Sequence, residues 1–173
     1  MTRDLTTHRA DAQFAIRPGR PGDLDAFVSL AAGIDMAPRW TRAMYATALE
    51  SGDGSRVVMV AEAAGNVRGF AVILLSAPAC GSEATIESIA VDPGFRRRGA
   101  GRRLLHALLA WARAEGASAC LLEVRERNSE AIRLYCQAGF AVIGRRPGYY
   151  NEPEDAGIVM RREMTQTAEF ADV

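Results

Sequence analysis

The sequence contains no lysine: all 21 of its basic residues are arginine, and 21 acidic residues bring the formal net charge to zero. A chain without net charge lacks the long-range positive field that gathers a polyanion, which argues against direct nucleic-acid binding. The missing lysine also excludes a Walker-type phosphate loop, which needs G-K-[ST] at the mouth of a helix. There are two histidines, His8 and His106, and three cysteines, Cys80, Cys120 and Cys136. The cysteines are odd in number and no two have C-x-x-C spacing. Neither a disulfide framework nor a metal site is expected, and a reduced, cytoplasmic setting fits. Cys120 and Cys136 fall inside apolar patterns and are predicted to be core residues. No apolar run approaches the roughly 18–20 residues that span a bilayer. The first residues, M-T-R-D-L-T-T-H-R-A-D-A-Q, hold no apolar stretch of the kind a signal peptide needs.

What is present is ordinary for a globular α/β chain: 173 residues, 49% apolar and 24% charged, enough for one domain with a real core. Residues 1–12 and 164–173 are polar and aperiodic and read as tails around a domain at 13–163. A short strand at 14–17 is followed by a helix from Leu24 with Asp23 as its cap, Leu24, Phe27, Val28 and Ala31 as its stripe and Gly33 as its stop. Ala37-Pro38 breaks the chain. Thr41 then caps a second helix, with Met44, Tyr45 and Ala48 on one face. Residues 56–63 and 67–75 form a hairpin around Ala64-Gly65-Asn66. Residues 83–91 make a strand, 99–115 an amphipathic helix burying Leu104, Leu105, Leu108, Leu109 and Ala112, and 118–124 a further strand. Asn128 caps a helix with Ala131, Leu134, Tyr135 and Ala138 on one face. Strands at 140–144 and 156–162 flank a loop at 147–153. The predicted fold is a single α/β domain, β-α-α-β-β-β-α-β-α-β-β, with a mixed central sheet flanked by helices.

Arginine is unevenly placed, in tight groups at 96–98, 102–103, 145–146 and 161–162. The densest group lies in Ile86–Leu109, I-E-S-I-A-V-D-P-G-F-R-R-R-G-A-G-R-R-L-L-H-A-L-L: strand, turn, basic loop, helix. A helix opening on Gly99-Ala100-Gly101 offers bare backbone N–H groups to an anion, and the helix dipole and nearby arginines add positive potential. A dinucleotide fingerprint would follow the first strand and carry a third glycine. Here three strands precede the loop and the third glycine is missing. What remains is R-x-x-G-x-G, filled by Arg96, Gly99 and Gly101.

With the preceding I-A-V-D-P and the later N-S-E-A-I-R-L-Y-C-Q-A-G-F, this pattern resembles the GNAT family of N-acetyltransferases over roughly residues 14–163. The resemblance implies a splayed sheet and acetyl-CoA as co-substrate, with no metal. Backbone amides across Arg97, Arg98, Gly99, Ala100, Gly101 and Arg102 would hold the pyrophosphate. The main chain of Ile89, Ala90 and Val91 would pair with the pantetheine arm like an added strand. Asn128 would both cap its helix and bind CoA.

Acetylating an amine requires a proton acceptor for the ammonium and a proton donor for the departing thiol. L-L-E-V-R places Glu123 in an apolar run, where burial would suit a carboxylate to act as a base; the alternative is an ion pair with Arg125, two residues on and so on the same face. Tyr135 is a phenol suited to donate, or else a packed core tyrosine. Glu87 is the competing base or an amine ligand, read by strand alternation as sharing a side with Ile89. A narrower likeness, through L-E-V-R, N-S-E-A-I-R-L-Y, G-R-R-P-G-Y-Y and Trp40-Thr41, is to bacterial ribosomal-protein alanine N-acetyltransferases of the RimI type. It implies Glu123 as proton acceptor, Tyr135 as proton donor, and Tyr149 and Tyr150 lining a peptide groove. The expected acceptor is a protein N-terminus. A small-molecule amine or antibiotic is the alternative, and a non-catalytic acetyl-CoA sensor a more distant one. The chain is expected to act as a monomer or homodimer away from membranes.

Overall fold

The computed structural model describes residues 14–34, 36, 40–52, 54–76, 82–151 and 153–164. Along them run β1 (Ala15–Pro18), α1 (Leu24–Ala32), α2 (Arg42–Glu50), β2 (Arg56–Ala63), β3 (Asn66–Ser76), β4 (Glu83–Val91), α3 (Ala100–Ala114), β5 (Ala119–Arg125), α4 (Ser129–Gln137), β6 (Ala141–Asn151) and β7 (Glu154–Glu163). The strands form one sheet in the order β1-β2-β3-β4-β5-β7-β6, with β4 and β5 parallel and the other neighbours antiparallel. This is the expected single α/β domain with a mixed, open sheet. The two tails (Met164 apart), the Ala37-Pro38 break, His8 and Cys80 lie outside the described residues.

Period-two alternation sends side chains of each central strand into two cores. On one face α1 and α2 bury Phe27, Tyr45 and Ala48 against Val58, Val60, Phe70, Val72 and Ala90. Phe27 stacks on Phe70 at 4.3 Å and Tyr45 meets the same ring edge-on at 5.4 Å. On the other face the α3 stripe of Leu104, Leu105, Leu108, Leu109 and Ala112 is fully or nearly buried, together with Ile73, Ile86 and Leu122. Each such leucine contributes about 1.5–3 kcal/mol of burial free energy.

Caps and stops follow the local chemistry. Thr41 Oγ1 accepts from the Met44 N–H at 3.3 Å and Asn128 Oδ1 from the Ala131 N–H at 3.2 Å. Asp23 does not act as the predicted cap. Its carboxylate accepts from Arg17 (2.8 and 2.9 Å) and from the Arg20 N–H (2.8 Å), so it ties β1 to a 3₁₀ turn at Pro21–Asp23 and α1 begins without a side-chain cap. The Arg17 guanidinium holds that carboxyl below the usual carboxylate range. Met44 is exposed, because Tyr45 and Ala48 set the inner face of α2 and Met44 lies outside it. Cys120 is buried, its thiol pushed up to about 12 by burial, whereas Cys136 is exposed: it lies about 100° round α4 from the inward Tyr135.

Three irregularities shape the site. First, β4 and β5 pair only from Glu83↔Ala119 to Ile86↔Leu122 and then part. Second, β4 bulges where they part: Ile73 faces Ile86 and Val72 faces Ser88, leaving Glu87 unpaired. Ile86 and Ile89 therefore pack into the same core although they are three residues apart. The expectation that Glu87 and Ile89 share a side assumed unbroken alternation, which the bulge interrupts. Third, the predicted loop at 147–153 is largely strand. β6 and β7 form a long hairpin in which Pro147, Gly148 and Tyr149 bulge opposite Ala156, between the pairs Arg146↔Gly157 and Tyr150↔Asp155. Pro147 has no N–H to donate and Gly148 has φ of 62°, so these residues interrupt the ladder without ending the strand.

Candidate active site

The parting strands open a cleft of about 910 Å³ between β4 and α3 on one side and β5, α4 and β6 on the other. Along the first side run Ile89, Ala90 and Val91 of β4, then Arg96, Arg97, Gly99, Ala100, Gly101 and Arg102. Beyond Ile86 no strand of the described residues pairs with β4 on its β5 side. The loop that follows is held from beneath. Asp92 accepts from the Gly94 N–H at 2.9 Å and from Arg68 at 3.2 Å, while Arg68 and Arg98 both lie over the Phe95 ring, at 4.4 and 4.9 Å from its centre. Arg98 is thus turned to the loop's own packing and does not line the cleft. Gly69, on β3 beneath this turn, permits the close approach: a Cβ there would sit 2.9 Å from the Ala90 carbonyl oxygen.

The helix entrance has the form of an anion receptor. Arg97 and Gly99 take left-handed backbone angles, φ of 59° and 86°, and for arginine that costs about 1–2 kcal/mol. α3 starts with no side-chain cap on its N–H groups. A Cβ on Gly101 would meet only Leu134 and Val91 at 3.6 and 3.7 Å, ordinary contact distances. Arg96, Arg97, Arg102 and Arg103 form no ion pair among the described residues. Such grouped, unopposed cations at a helix N-terminus suit a multiply charged anion such as a pyrophosphate.

The second side carries the other predicted residues. Glu123, Asn128, Tyr135, Tyr149 and Tyr150 all line the cleft, as does Glu87 from β4. Tyr135 is 7% exposed, its ring edge-on to Phe140 at 5.9 Å, and burial pushes its phenol well above the ordinary range. Glu123 is paired with Arg146, Nη1 to Oε1 at 2.5 Å, and not with Arg125. Arg125 is buried, lies 4.0 Å above the Tyr150 ring and donates to the Pro153 carbonyl at 3.0 Å. The neighbouring Glu123 carboxylate raises the Tyr149 phenol, and burial raises that of Tyr150. Glu87 is held by Arg56 through two contacts, 2.8 and 3.1 Å.

Sequence reasoning assigned no role to two residues that line this cleft and to a third beside it. Arg133 of α4 lines it and adds a positive charge. Ser88 lines it with its Oγ buried and without a hydrogen-bond partner. Arg146 governs Glu123 from the rim. Arg133 and Arg146 stand inside the quoted stretches N-S-E-A-I-R-L-Y and G-R-R-P-G-Y-Y; the pairing of Arg146 with Glu123 and the facing of Ser88 depend on the bulges.

The model of the acetyltransferase (GNAT) family matches residues 26–140. A [ribosomal protein bS18]-alanine N-acetyltransferase of Haemophilus ducreyi is 43% identical over 72 residues, covering 42% of this chain and 50% of that protein. A streptothricin acetyltransferase of Streptomyces lavendulae is 37% identical over 103 residues, covering 60% of this chain and 53% of that protein. The chain thus matches about half the length of these curated relatives. The crystal structure of the ribosomal-protein-S18-alanine N-acetyltransferase from Escherichia coli superimposes with a TM-score of 0.75 at 26% identity, over 93% of this chain and 100% of that one.

Proposed function

The chain belongs to the acetyltransferase (GNAT) family, and from that premise we propose that it transfers the acetyl group of acetyl-CoA to a primary amine, the N-terminal α-amine of a protein. The observation that carries this reading is the splay: β4 and β5 part after Ile86↔Leu122, with an uncapped, arginine-rich helix entrance on one side and Glu123 and Tyr135 on the other.

The residues present fit acetyl-CoA. The backbone from Arg97 to Arg102 offers N–H groups to the pyrophosphate, with Arg96, Arg97 and Arg102 as counter-charges. The unpaired edge at Ile89, Ala90 and Val91 suits the amides of a pantetheine arm. Asn128, already spent in part on the Ala131 N–H, keeps its side-chain amide at the cleft wall. Bound acetyl-CoA supplies the acyl group as a thioester. Glu123 accepts the proton that the acceptor ammonium must give up. Tyr135 stays protonated because burial disfavours its phenolate, so it holds a proton to donate towards the sulfur. Tyr149 and Tyr150, on the β6 bulge, line the acceptor's approach. Glu87, committed to Arg56, contributes to the shape and charge of that approach and is the lesser candidate for the base.

The alanine N-acetyltransferases among the relatives point to a protein N-terminus. A second reading, acetylation of a small amine or antibiotic, is favoured by the longer match to the streptothricin acetyltransferase. Incubation with acetyl-CoA and an Ala-starting peptide should release CoA thiol. Turnover of small amines in preference to every N-terminal peptide would select the second reading, and no turnover of either would remove both.

A further inference from the structure

We propose that Arg146 is a displaceable counter-ion of Glu123: its guanidinium occupies, in the resting protein, the place that the acceptor's ammonium takes when it binds. The inference rests on the acetyltransferase reading above and concerns how that site admits its acceptor.

Glu123 lines the cleft from β5 with a quarter of its side chain exposed, and Arg146 reaches it from the rim with more than half of its own exposed. The carboxylate is therefore not an open base. It is held by a cation on one oxygen, with the Tyr149 phenol raised by its nearness. Both partners come from the same irregularity, flanking Pro147-Gly148, where β6 loses its ladder to β7 between Arg146↔Gly157 and Tyr150↔Asp155. The Arg146 guanidinium also lies 5.4 Å from the centre of the Tyr149 ring, so a second resting place is at hand when it leaves the carboxylate. The neighbouring Arg145 is bound differently, by two 2.7 Å contacts to Glu126, which does not line the cleft. One arginine thus fastens the hairpin, and the next guards the site.

An incoming ammonium would exchange like charge for like, so Glu123 would never stand uncompensated beside a low-dielectric cleft. The exchange has a cost, because the acceptor must displace a partly exposed ion pair before it is held. Arg146 is in these terms a positioning residue. It sets the affinity for cationic acceptors through Glu123 and acts on neither the thioester nor the amine itself.

The test compares Arg146→Met, which keeps the apolar stem and removes the charge, with Arg146→Lys and with Arg145→Met. Calorimetry with CoA thiol present, so that no transfer occurs, reads the Kd of an Ala-starting peptide and of the same peptide N-acetylated. Steady-state kinetics with acetyl-CoA read KM and kcat. Arg146→Met should bind the free-amine peptide about fivefold more tightly and lower its KM to match, the scale expected of an exposed ion pair. The acetylated peptide, which carries no ammonium, should bind as to wild type. Arg146→Lys should return the free-amine Kd to within about twofold of wild type, and Arg145→Met should leave it there. Weaker binding of the free-amine peptide to Arg146→Met would overturn the proposal, since the guanidinium would then be an acceptor ligand. An equal shift for both peptides would overturn it as a packing effect. A wild-type chain that transfers no acetyl group removes the function and the proposal together. A wild type that transfers, with Kd and KM unmoved in Arg146→Met, removes the proposal alone.

Discussion

The two sides of the cleft treat arginine in opposite ways. At the α3 entrance Arg96, Arg97, Arg102 and Arg103 have no carboxylate opposite them among the described residues. Across the gap the arginines of β5, β6 and the turn after β5 are engaged: Arg125 on Tyr150 and the Pro153 carbonyl, Arg127 at 3.9 Å from Asp155, Arg145 on Glu126 and Arg146 on Glu123, while Arg133 of α4 forms no ion pair among the described residues. The same residue type stands unopposed at one entrance and paired along the strands across from it. The difference teaches where ligand charge belongs. A polyanion is stabilised where cations stand unopposed, and an ammonium where carboxylates already hold exchangeable cations.

Changes to the paired side should strike turnover and spare cofactor binding. Glu123→Gln removes the proposed proton acceptor and should lower kcat by about 10²–10³-fold. CoA affinity, read by calorimetry, should stay within about twofold, because the pair it breaks is partly exposed and lies off the anion path. Tyr135→Phe should lower kcat by about 10²-fold with the same indifference in CoA binding. A variant of either residue that lost CoA affinity and kept turnover would erase the contrast.

Changes to the unopposed side should do the reverse. Gly101→Asp places an acid in the first turn of α3, where the dipole favours it and where a Cβ meets only ordinary contacts. The thermal midpoint should hold or rise, while the Kd for CoA should weaken by about a hundredfold, equivalent to ~2.7 kcal/mol. Opposite signs for folding and binding are the mark of a receptor, and a fall in both would make Gly101 a structural glycine. Replacing Arg97 and Arg102 together by Gln should weaken CoA by about tenfold at low salt and flatten the dependence of Kd on ionic strength.

The smallest effect belongs to a residue on neither side. Tyr45 is 1% exposed with its hydroxyl unpartnered, and burial pushes its phenol up to about 12. The folded state therefore favours the neutral form. That contribution is fully present below the unfolded value of about 10 and is lost as pH rises towards 12. Tyr45→Phe should change stability at pH 8 by about 1 kcal/mol or less. Urea titrations at pH 8 and pH 11 should show the wild type losing more stability between them than the variant does. An equal loss would assign the alkaline sensitivity to other groups.

The unopposed side was legible in the sequence and the paired side was not, for a physical reason. The work proposed for residues 96–102 rests on backbone and adjacent charges, so R-x-x-G-x-G carries nearly all of it. The ends of β2 and β4, the buried stripe of α3 and the Asn128 cap are likewise set by alternation, helical spacing and local hydrogen bonds. Glu123, by contrast, meets Arg146 across 23 residues of sequence only because β6 carries Pro147 and Gly148 within a strand, and those two residues read locally as a loop. Asp23 met Arg17 in place of its own helix, and Cys136 turned out of α4, because a neighbour's claim on space or charge outranked the local pattern. The facing of Glu87 failed for a related reason: alternation counts residues, and a bulge adds one.

That added residue governs more than its own side chain. Glu87 is one residue in excess of what β3 requires, and it sits where the β4–β5 ladder stops. Removing it would bring β4 into step with β3 throughout. The residue that breaks the register with one neighbour is also the first that the other neighbour does not pair. A single position thus marks both the fault in the ladder and the start of the mouth.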